Sequence, residues 1–312
     1  MPHYLVTGGC GFIGSHLVEA LLAAGHRVRV LDDLSTGKLE NLPPGVDFRR
    51  GDVAEEADVA RAMEEVEGCF HLAAISSVAR SNEAWFETHR VNLGGAIRVF
   101  EAAKRCGGLP VVYASSASLY GNAGPLPLSE TTLPRPLTAY GADKFGCELH
   151  ARAASHVHGV PTVGFRFFNV YGPRQDPRSP YSGVISIFID RLLNDQVLMI
   201  HGDGQQVRDY VYVGDVVRFL LAGMKRAPRE AEVYNVCSGH GVSLLELIAT
   251  LGEVSGLTPR TVNVAPRPGD IRASIGDPTL GRTTLGLTCQ TPMSVGLKDT
   301  WEALRGRALS AP

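Results

Sequence analysis

Short apolar runs alternate with longer amphipathic ones through the first half of the chain. Residues 3–8 (HYLVTG) read as a strand, and residues 14–25 follow with apolar positions at helical spacing, ending at Gly25. The same alternation continues with a strand at 27–33, a helix with a charged face at 55–68, a strand at 69–74 and a helix at 92–107. A strand at 109–116 ends in small hydroxyl residues, a long helix is expected over about 137–158, and one further strand over 160–170. Strands alternating with helices across short loops predict βαβ units and a parallel sheet covered on both faces. The expected class is therefore α/β, a Rossmann-type doubly wound parallel sheet.

The second half is less regular. Pro/Gly-rich loops at 171–183 and 265–270 separate helical runs at 183–193, 214–224 and 243–254, with short strands near 196–202 and 232–236. This pattern predicts a smaller α/β lobe. We divide the chain into a mainly dinucleotide-binding part, 1–166, and a mainly substrate-binding part, 167–312, with some later elements returning to the first part. No internal repeat or flexible linker is evident.

Composition narrows the function. Of 312 residues, 44% are apolar and 20% charged, as in an ordinary globular protein, and the net charge of -2 makes no electrostatic case for nucleic acid or an anionic membrane. No apolar run approaches the ~20 residues of a membrane helix. The N-terminal stretch has no basic region followed by a long apolar run, so no signal peptide is expected. The six cysteines form no C-x-x-C pair, and the ten histidines form no ligand pattern with them. Buried or half-buried free thiols in a reducing cytoplasm are expected, and no metal site.

The first candidate site is TGGCGFIGSH, between the first strand and the first helix. Gly8, Gly11 and Gly14 give a G-x-x-G-x-x-G spacing, with Phe12 and Ile13 opening the helix. Such a turn lets backbone N–H groups approach a pyrophosphate at a helix N-terminus. Asp32, at the end of the second strand and followed by Asp33, places a carboxylate where it would accept hydrogen bonds from an adenosine ribose and repel a 2′-phosphate. This favours NAD over NADP. Asp52 and Val53 follow a third expected strand and are candidates to meet the adenine. His71 leads into Leu72, Ala73 and Ala74, small enough at the end for a cofactor to lie close to the backbone.

Tyr140 and Lys144, at i and i+4 in the long helix, would share one face. With TGGCGFIG, HLAA, Asn92, YASSASLYG, YGADK, FFNVYGPRQ, RDYVYVGD and RPGDIR, nearly the whole chain resembles the extended short-chain dehydrogenase/reductases. Within them it is most similar to nucleotide-sugar 4-epimerases of the UDP-glucose and UDP-N-acetylglucosamine type. The resemblance implies a catalytic triad of Ser116, Tyr140 and Lys144. The tyrosine would be the acid/base, and the lysine would hold the nicotinamide ribose. A free phenol is a weak base at neutral pH, and a neighbouring ammonium and the positive nicotinamide ring both favour its ionised form. C4 of the sugar would be oxidised by a tightly held NAD, turn over as a 4-keto sugar, and be reduced from the opposite face, so that NAD is regenerated each cycle. Asn92 would belong to the cofactor site.

The resemblance also carries the substrate side. Asn169 would bind the diphosphate, Arg208 and Arg267 its charges, and Asp270 the uridine ribose. Related 4,6-dehydratases place an Asp-Glu pair after the catalytic hydroxyl, and decarboxylating relatives a glutamate. Here Ala117 and Ser118 follow Ser116, which favours epimerisation over elimination. Ser274 takes the place where a bulky tyrosine restricts related enzymes to simple hexoses. Together with Gly183 and Ser182 it implies room for an N-acetyl group, hence UDP-GlcNAc/UDP-GalNAc, with UDP-Glc/UDP-Gal also admitted. Some relatives carry a lysine after HLAA. Here the loop reads Ile75, Ser76, Ser77, Val78, and Ser76 and Ser77 are candidates to bind the sugar or phosphate instead. A homodimer through the helices at 92–106 and 137–158 is implied as well. The alternatives are a UDP-glucuronate or other UDP-sugar 4-epimerase, and a non-catalytic NAD-binding regulator.

Overall fold

The computed structural model describes residues 1–177, 183–228, 230–266 and 271–310. Seven parallel strands form the large sheet. In chain order the elements that build it and its surroundings are β1 (His3–Thr7), α1 (Phe12–Ala23), β2 (Arg27–Asp32), β3 (Asp47–Arg50), α2 (Glu56–Met63), β4 (Gly68–His71), α3 (Val78–Glu83), α4 (Trp85–His89), α5 (Gly95–Arg105), β5 (Val111–Ser116), α6 (Ala139–His158) and β6 (Thr162–Phe167). Then follow β7 (Asn169–Tyr171), α7 (Val184–Leu193), β8 (Leu198–His201), β9 (Val207–Tyr212), α8 (Val213–Arg226), β10 (Glu232–Val236), β11 (Gly241–Ser243), α9 (Leu244–Ser255), β12 (Thr261–Val264), β13 (Ala273–Ser274) and α10 (Met293–Ser310).

The strand order is β10-β6-β5-β4-β1-β2-β3. The order reverses between β1 and β4, so the crevice beyond the carboxyl ends of those two strands is where a ligand fits such a sheet. Every residue of β4 and β6 is buried, as expected of parallel strands covered on both faces. Leu17, Val18 and Leu21 of α1 and Val216, Phe219 and Leu220 of α8 cover one face. Val99, Phe100 and Ala103 of α5 and Ala151 and Ala154 of α6 cover the other.

Several elements differ from the sequence reading. The strand expected over 160–170 is two strands in two sheets. β6 pairs with β5 and β10, and β7 pairs with β9. The chain changes sheet at Phe168, whose N–H bonds the Val236 carbonyl at 3.2 Å before β7 begins at Asn169. The 92–107 helix begins as a π-helical turn over Arg90–Gly94 and becomes regular only from Gly95. The helix expected over 55–68 stops at Met63. Cys106 is exposed rather than buried or half-buried, because it lies just past the end of α5. Helix α10 was not anticipated. Leu297, Trp301 and Leu304 recur at i, i+4 and i+7 and pack against Ile189, Leu192, Leu247 and Leu251.

One buried polar network joins the elements behind the crevice. Glu148 of α6 accepts two bonds from Arg166 of β6, at 2.9 and 2.7 Å, and a third from the Ser115 hydroxyl at 2.5 Å. Arg166 also donates to the Tyr120 hydroxyl at 2.7 Å and the Glu130 carbonyl at 3.1 Å. Tyr120 passes its proton bond to Asn235 of β10 at 2.7 Å. Removing one charge from a buried pair leaves the other unpaired, at a cost of about 3–5 kcal/mol. Glu148→Gln is therefore expected to lower the unfolding free energy by about 3 kcal/mol in urea titration, whereas removing the exposed Lys298–Glu302 pair should change it by less than about 0.5 kcal/mol.

Candidate active site

The chain must leave β1 at Thr7 and enter α1 at Phe12, so it turns through Gly8, Gly9, Cys10 and Gly11. Gly8 has φ +69°, and a Cβ there would lie 2.7 Å from the Ala73 nitrogen. At Gly14 a Cβ would lie 2.1 Å from the Gly8 carbonyl oxygen. Only bare backbone fits this crossing. Gly11 caps α1 without a side-chain bond, and the first turn holds no acid. The positive end of the helix is thus left for an anion, as a pyrophosphate requires. Phe12 and Ile13 flank that end, half-buried.

Asp32 is buried. One oxygen accepts the Cys10 N–H and the other the Leu34 N–H, both at 2.9 Å. Burial pushes its carboxyl above the usual range, and the two N–H bonds oppose that rise. Asp33 is exposed and accepts the Ser35 N–H at 2.8 Å. Asp52 accepts the Ala54 N–H at 2.9 Å and the Arg90 guanidinium at 2.8 Å, and Val53 is buried beside Gly95.

At the end of β4, the Leu72 N–H reaches the Thr7 carbonyl, and the Ala73 N–H reaches the Thr7 hydroxyl at 3.2 Å. Ala74 and Ile75 continue the loop. Asn92 holds it in place, accepting from the Ile75 N–H at 2.8 Å and donating to the Ile75 carbonyl at 3.2 Å. The π-helical turn around Asn92 is a device that often re-aims a side chain at a functional site. Ser77 is buried and caps α3 by accepting from the Arg80 N–H, while Ser76 is exposed.

Thr138 caps α6, and Tyr140 lies in its first turn, its N–H donating to the Ser81 hydroxyl at 3.2 Å. One turn on, Lys144 stands 5.8 Å from the Tyr140 ring centroid. The two residues share a face, as the i, i+4 spacing required. Lys144 is buried and donates to the Ala114 carbonyl at 2.9 Å, its only hydrogen-bond acceptor among the described residues. A buried ammonium has three protons to place, so this one suits ribose hydroxyls. Ser116 ends β5, and its oxygen accepts the Ser118 N–H at 3.2 Å and the Ser118 hydroxyl at 2.9 Å. The turn after Ser116 packs directly on α6, since a Cβ at Gly141 would lie 2.7 Å from the Ser118 carbonyl.

The second sheet holds the remaining candidates. Ser274 of β13 stands opposite Arg208 of β9 in register. Asn169 of β7 is exposed and stands opposite Tyr210 of the same central strand. Gly183 caps α7, and a Cβ there would lie 3.0 Å from the Gln175 amide. Asp209, fully buried, accepts the Ser238 N–H and hydroxyl and the Gly239 and Gly276 N–H groups, fixing the loops around Arg208. Arg267, Asp270 and Ser182 lie outside the described residues. A cavity of about 560 Å³ opens between His201 and Gln206 on one side and Val264, Pro266 and Ile271 on the other. Another, of about 590 Å³, lies between α7, α9 and α10 and holds none of the candidate residues.

The model of the NAD dependent epimerase/dehydratase family matches residues 4–237. The chain belongs to this family. Three solved structures of members share its fold. The UDP-glucose 4-epimerase of Thermotoga maritima, solved with UDP-glucose, is 37% identical over 98% of this chain and 99% of that one, with a TM-score of 0.94. The UDP-N-acetylglucosamine 4-epimerase of Methanobrevibacter ruminantium, solved with UDP-N-acetylmuramic acid, is 31% identical over 98% and 99%, with a TM-score of 0.93. The UDP-glucose 4-epimerase of Thermus thermophilus, solved with NAD, is 37% identical over 97% and 99%, with a TM-score of 0.89. In this NAD-dependent epimerase/dehydratase the glycine cradle, the uncapped helix end and the buried ammonium all fit the dinucleotide.

The sequence reading missed Thr7 and His71 as a pair, although both are polar residues at the ends of adjacent buried strands. The Thr7 hydroxyl and the His71 ring are 2.8 Å apart. Burial, and then the Lys144 charge, pushes the His71 imidazole down to about 3. An unfolded histidine titrates near 6.5. Between about pH 6.5 and 3 the unfolded chain therefore binds a proton that the folded chain refuses, and stability falls as pH drops. His71→Gln should remove about 2 kcal/mol of the stability difference between pH 7.5 and pH 5, measured by urea unfolding at both.

Proposed function

We propose that this epimerase/dehydratase is a UDP-sugar 4-epimerase whose preferred pair is UDP-GlcNAc/UDP-GalNAc. The observation that supports the reaction type is that Tyr140 and Lys144 share one face of α6, where Lys144 bonds the Ala114 carbonyl two residues before Ser116 and the turn after Ser116 packs on the helix. The relatives named above act in their own right as UDP-glucose and UDP-N-acetylglucosamine 4-epimerases, which supports the same reaction here.

When bound, NAD supplies the oxidising and reducing power at the sugar carbon. The chain's own groups handle the proton and the geometry. Tyr140 takes the proton from the 4-hydroxyl as that carbon is oxidised and returns it when the ketone is reduced. Lys144 grips the nicotinamide ribose. Ser116, held by Ser118, donates to the 4-oxygen and so keeps the keto sugar in place between the two half-reactions. Asp32 takes the adenosine ribose. Gly8, Gly11, Phe12, Ile13 and Gly14 line the pyrophosphate, and Asp52, Val53, Leu72, Ala73, Ala74 and Asn92 complete the cofactor wall. Ala117 and Ser118 offer no carboxyl group for elimination.

For the substrate, Arg208 and Arg267 meet the diphosphate with Asn169, and Asp270 meets the uridine ribose. The cavity bounded by His201 and Pro266 is lined by Gln206, two residues before Arg208, and by Ile271, which follows Asp270 in the sequence, and its volume of about 560 Å³ admits a nucleobase. The small side chain of Ser274, opposite Arg208, supports room for an acetamido group, with Gly183 and the exposed Ser76 as further candidates to line the sugar site and Ser77 holding the start of α3 behind it. On this reading residues 1–166 mainly bind NAD and residues 167–312 mainly bind the nucleotide sugar. The active unit is a homodimer formed through α5 and α6. Leu149 and Val157 of α6 and Trp85 and Phe86 of α4 are exposed. Such apolar exposure suits a helix face that a second copy covers.

The deciding experiment is proton NMR of purified protein with UDP-GlcNAc or UDP-Glc, following the anomeric signals. Conversion of UDP-GlcNAc to UDP-GalNAc is expected. Conversion of UDP-Glc alone would sink the acetamido reading, and conversion of neither, with NAD added, would sink the epimerase. Ser274→Tyr should lose at least about tenfold of kcat/KM for UDP-GlcNAc while keeping UDP-Glc, the steric cost of filling the pocket. Separately, Tyr140→Phe should lower kcat by about 10²–10⁴-fold with the far-ultraviolet spectrum unchanged, since it removes only the proton carrier.

A further inference from the structure

The loop that follows β7 leaves the second sheet and grips the phosphate-binding helix. Arg174 donates to the Ser15 hydroxyl at 3.2 Å and forms an ion pair with Glu19, both on α1. His16, beside Ser15, donates from Nε2 to the Pro173 carbonyl at 2.9 Å. Asp176 reaches the other flank of the cofactor crevice and pairs with Lys38 at 3.4 Å. Lys38 belongs to the segment after Asp32, and its N–H is bonded to the Cys10 carbonyl in the glycine turn. Arg174 is also one of the few non-glycine residues with positive φ, +69°, a backbone state that persists only where surrounding contacts impose it.

We propose that Pro173–Asp176 is a clasp that slows cofactor release, with Arg174 and Glu19 as positioning residues for the cofactor helix. The proposal rests on the NAD-epimerase reading. The pyrophosphate would lie at the first turn of α1 and the adenosine ribose at Asp32. The clasp holds α1 one turn beyond the pyrophosphate and holds the segment one loop beyond Asp32. Opening the crevice enough to let a dinucleotide leave moves one of these two supports away from β7. A 4-epimerase ends each cycle with its cofactor in the starting oxidation state, so no step of turnover needs that opening. The same strand, β7, carries Asn169, so the clasp also ties cofactor retention to the sugar side.

The test is stopped-flow displacement of bound NADH by excess NAD, read by fluorescence, on wild type, Arg174→Ala, Glu19→Gln and the charge-exchanged double variant Glu19→Arg/Arg174→Glu. We expect each single variant to release NADH about three- to tenfold faster, and the exchanged pair to return to within about twofold of wild type, in line with the worth of a half-exposed ion pair. Raising salt should speed release from wild type more than from Arg174→Ala, which keeps only the Lys38–Asp176 pair to be screened. Equal release rates in wild type and Arg174→Ala would overturn the clasp. A wild type that takes up no NADH at all would overturn the cofactor reading beneath it.

Discussion

The buried pair of Glu148 and Arg166 is the constraint on which the catalytic arrangement rests. Neither group can be abandoned by the other in a dry interior, so α6 and β6 are obliged to meet at one register. That register lays α6 against β5, where Lys144 bonds the Ala114 carbonyl two residues before Ser116. Ser115, next to Ser116 at the end of β5, bonds the same carboxylate. Tyr120, at the end of the turn after Ser116, bonds the same guanidinium. The carboxylate and guanidinium thus tie together α6, β6, the end of β5 and the turn after it, which carry the proposed triad.

Charge in the crevice is arranged around one buried cation. Among the described residues Lys144 has a single carbonyl acceptor, and the nearby His71 is kept neutral by burial and by the lysine itself. A nicotinamide ring held at Lys144, as proposed above, would then meet no second positive charge from His71. On the opposite side, the glycine turn presents only N–H dipoles, and Asp32 supplies a carboxylate already oriented by two backbone donors. Binding then requires little reorganisation of the protein.

The two sheets meet through short segments rather than a long linker. β6 and β7 are separated by Phe168 alone, so the catalytic sheet passes directly into the one that bears Asn169, Arg208 and Ser274. Asp209 fixes the loops around Arg208 with four donors, at the cost of burying a carboxylate. Such rigidity suits a reaction in which a keto sugar must turn within the site without leaving it.

The sequence by itself determined the local chemistry. Strand-helix alternation specified the parallel sheet, the glycines specified the turn at the end of β1, and the i, i+4 spacing put Tyr140 and Lys144 on one face. Each of these follows from short-range geometry that any observer of the chain can count. Helix α10 was legible in the same way, through Leu297, Trp301 and Leu304, and was overlooked. Only the tertiary structure decided the rest. The break at Phe168, the pairing of Ser274 with Arg208, the neutral His71 and the grip of Arg174 on Glu19 all join residues distant in sequence. Their positions depend on which sheet a strand enters and how much water is excluded there, and those are properties of packing that no local pattern encodes.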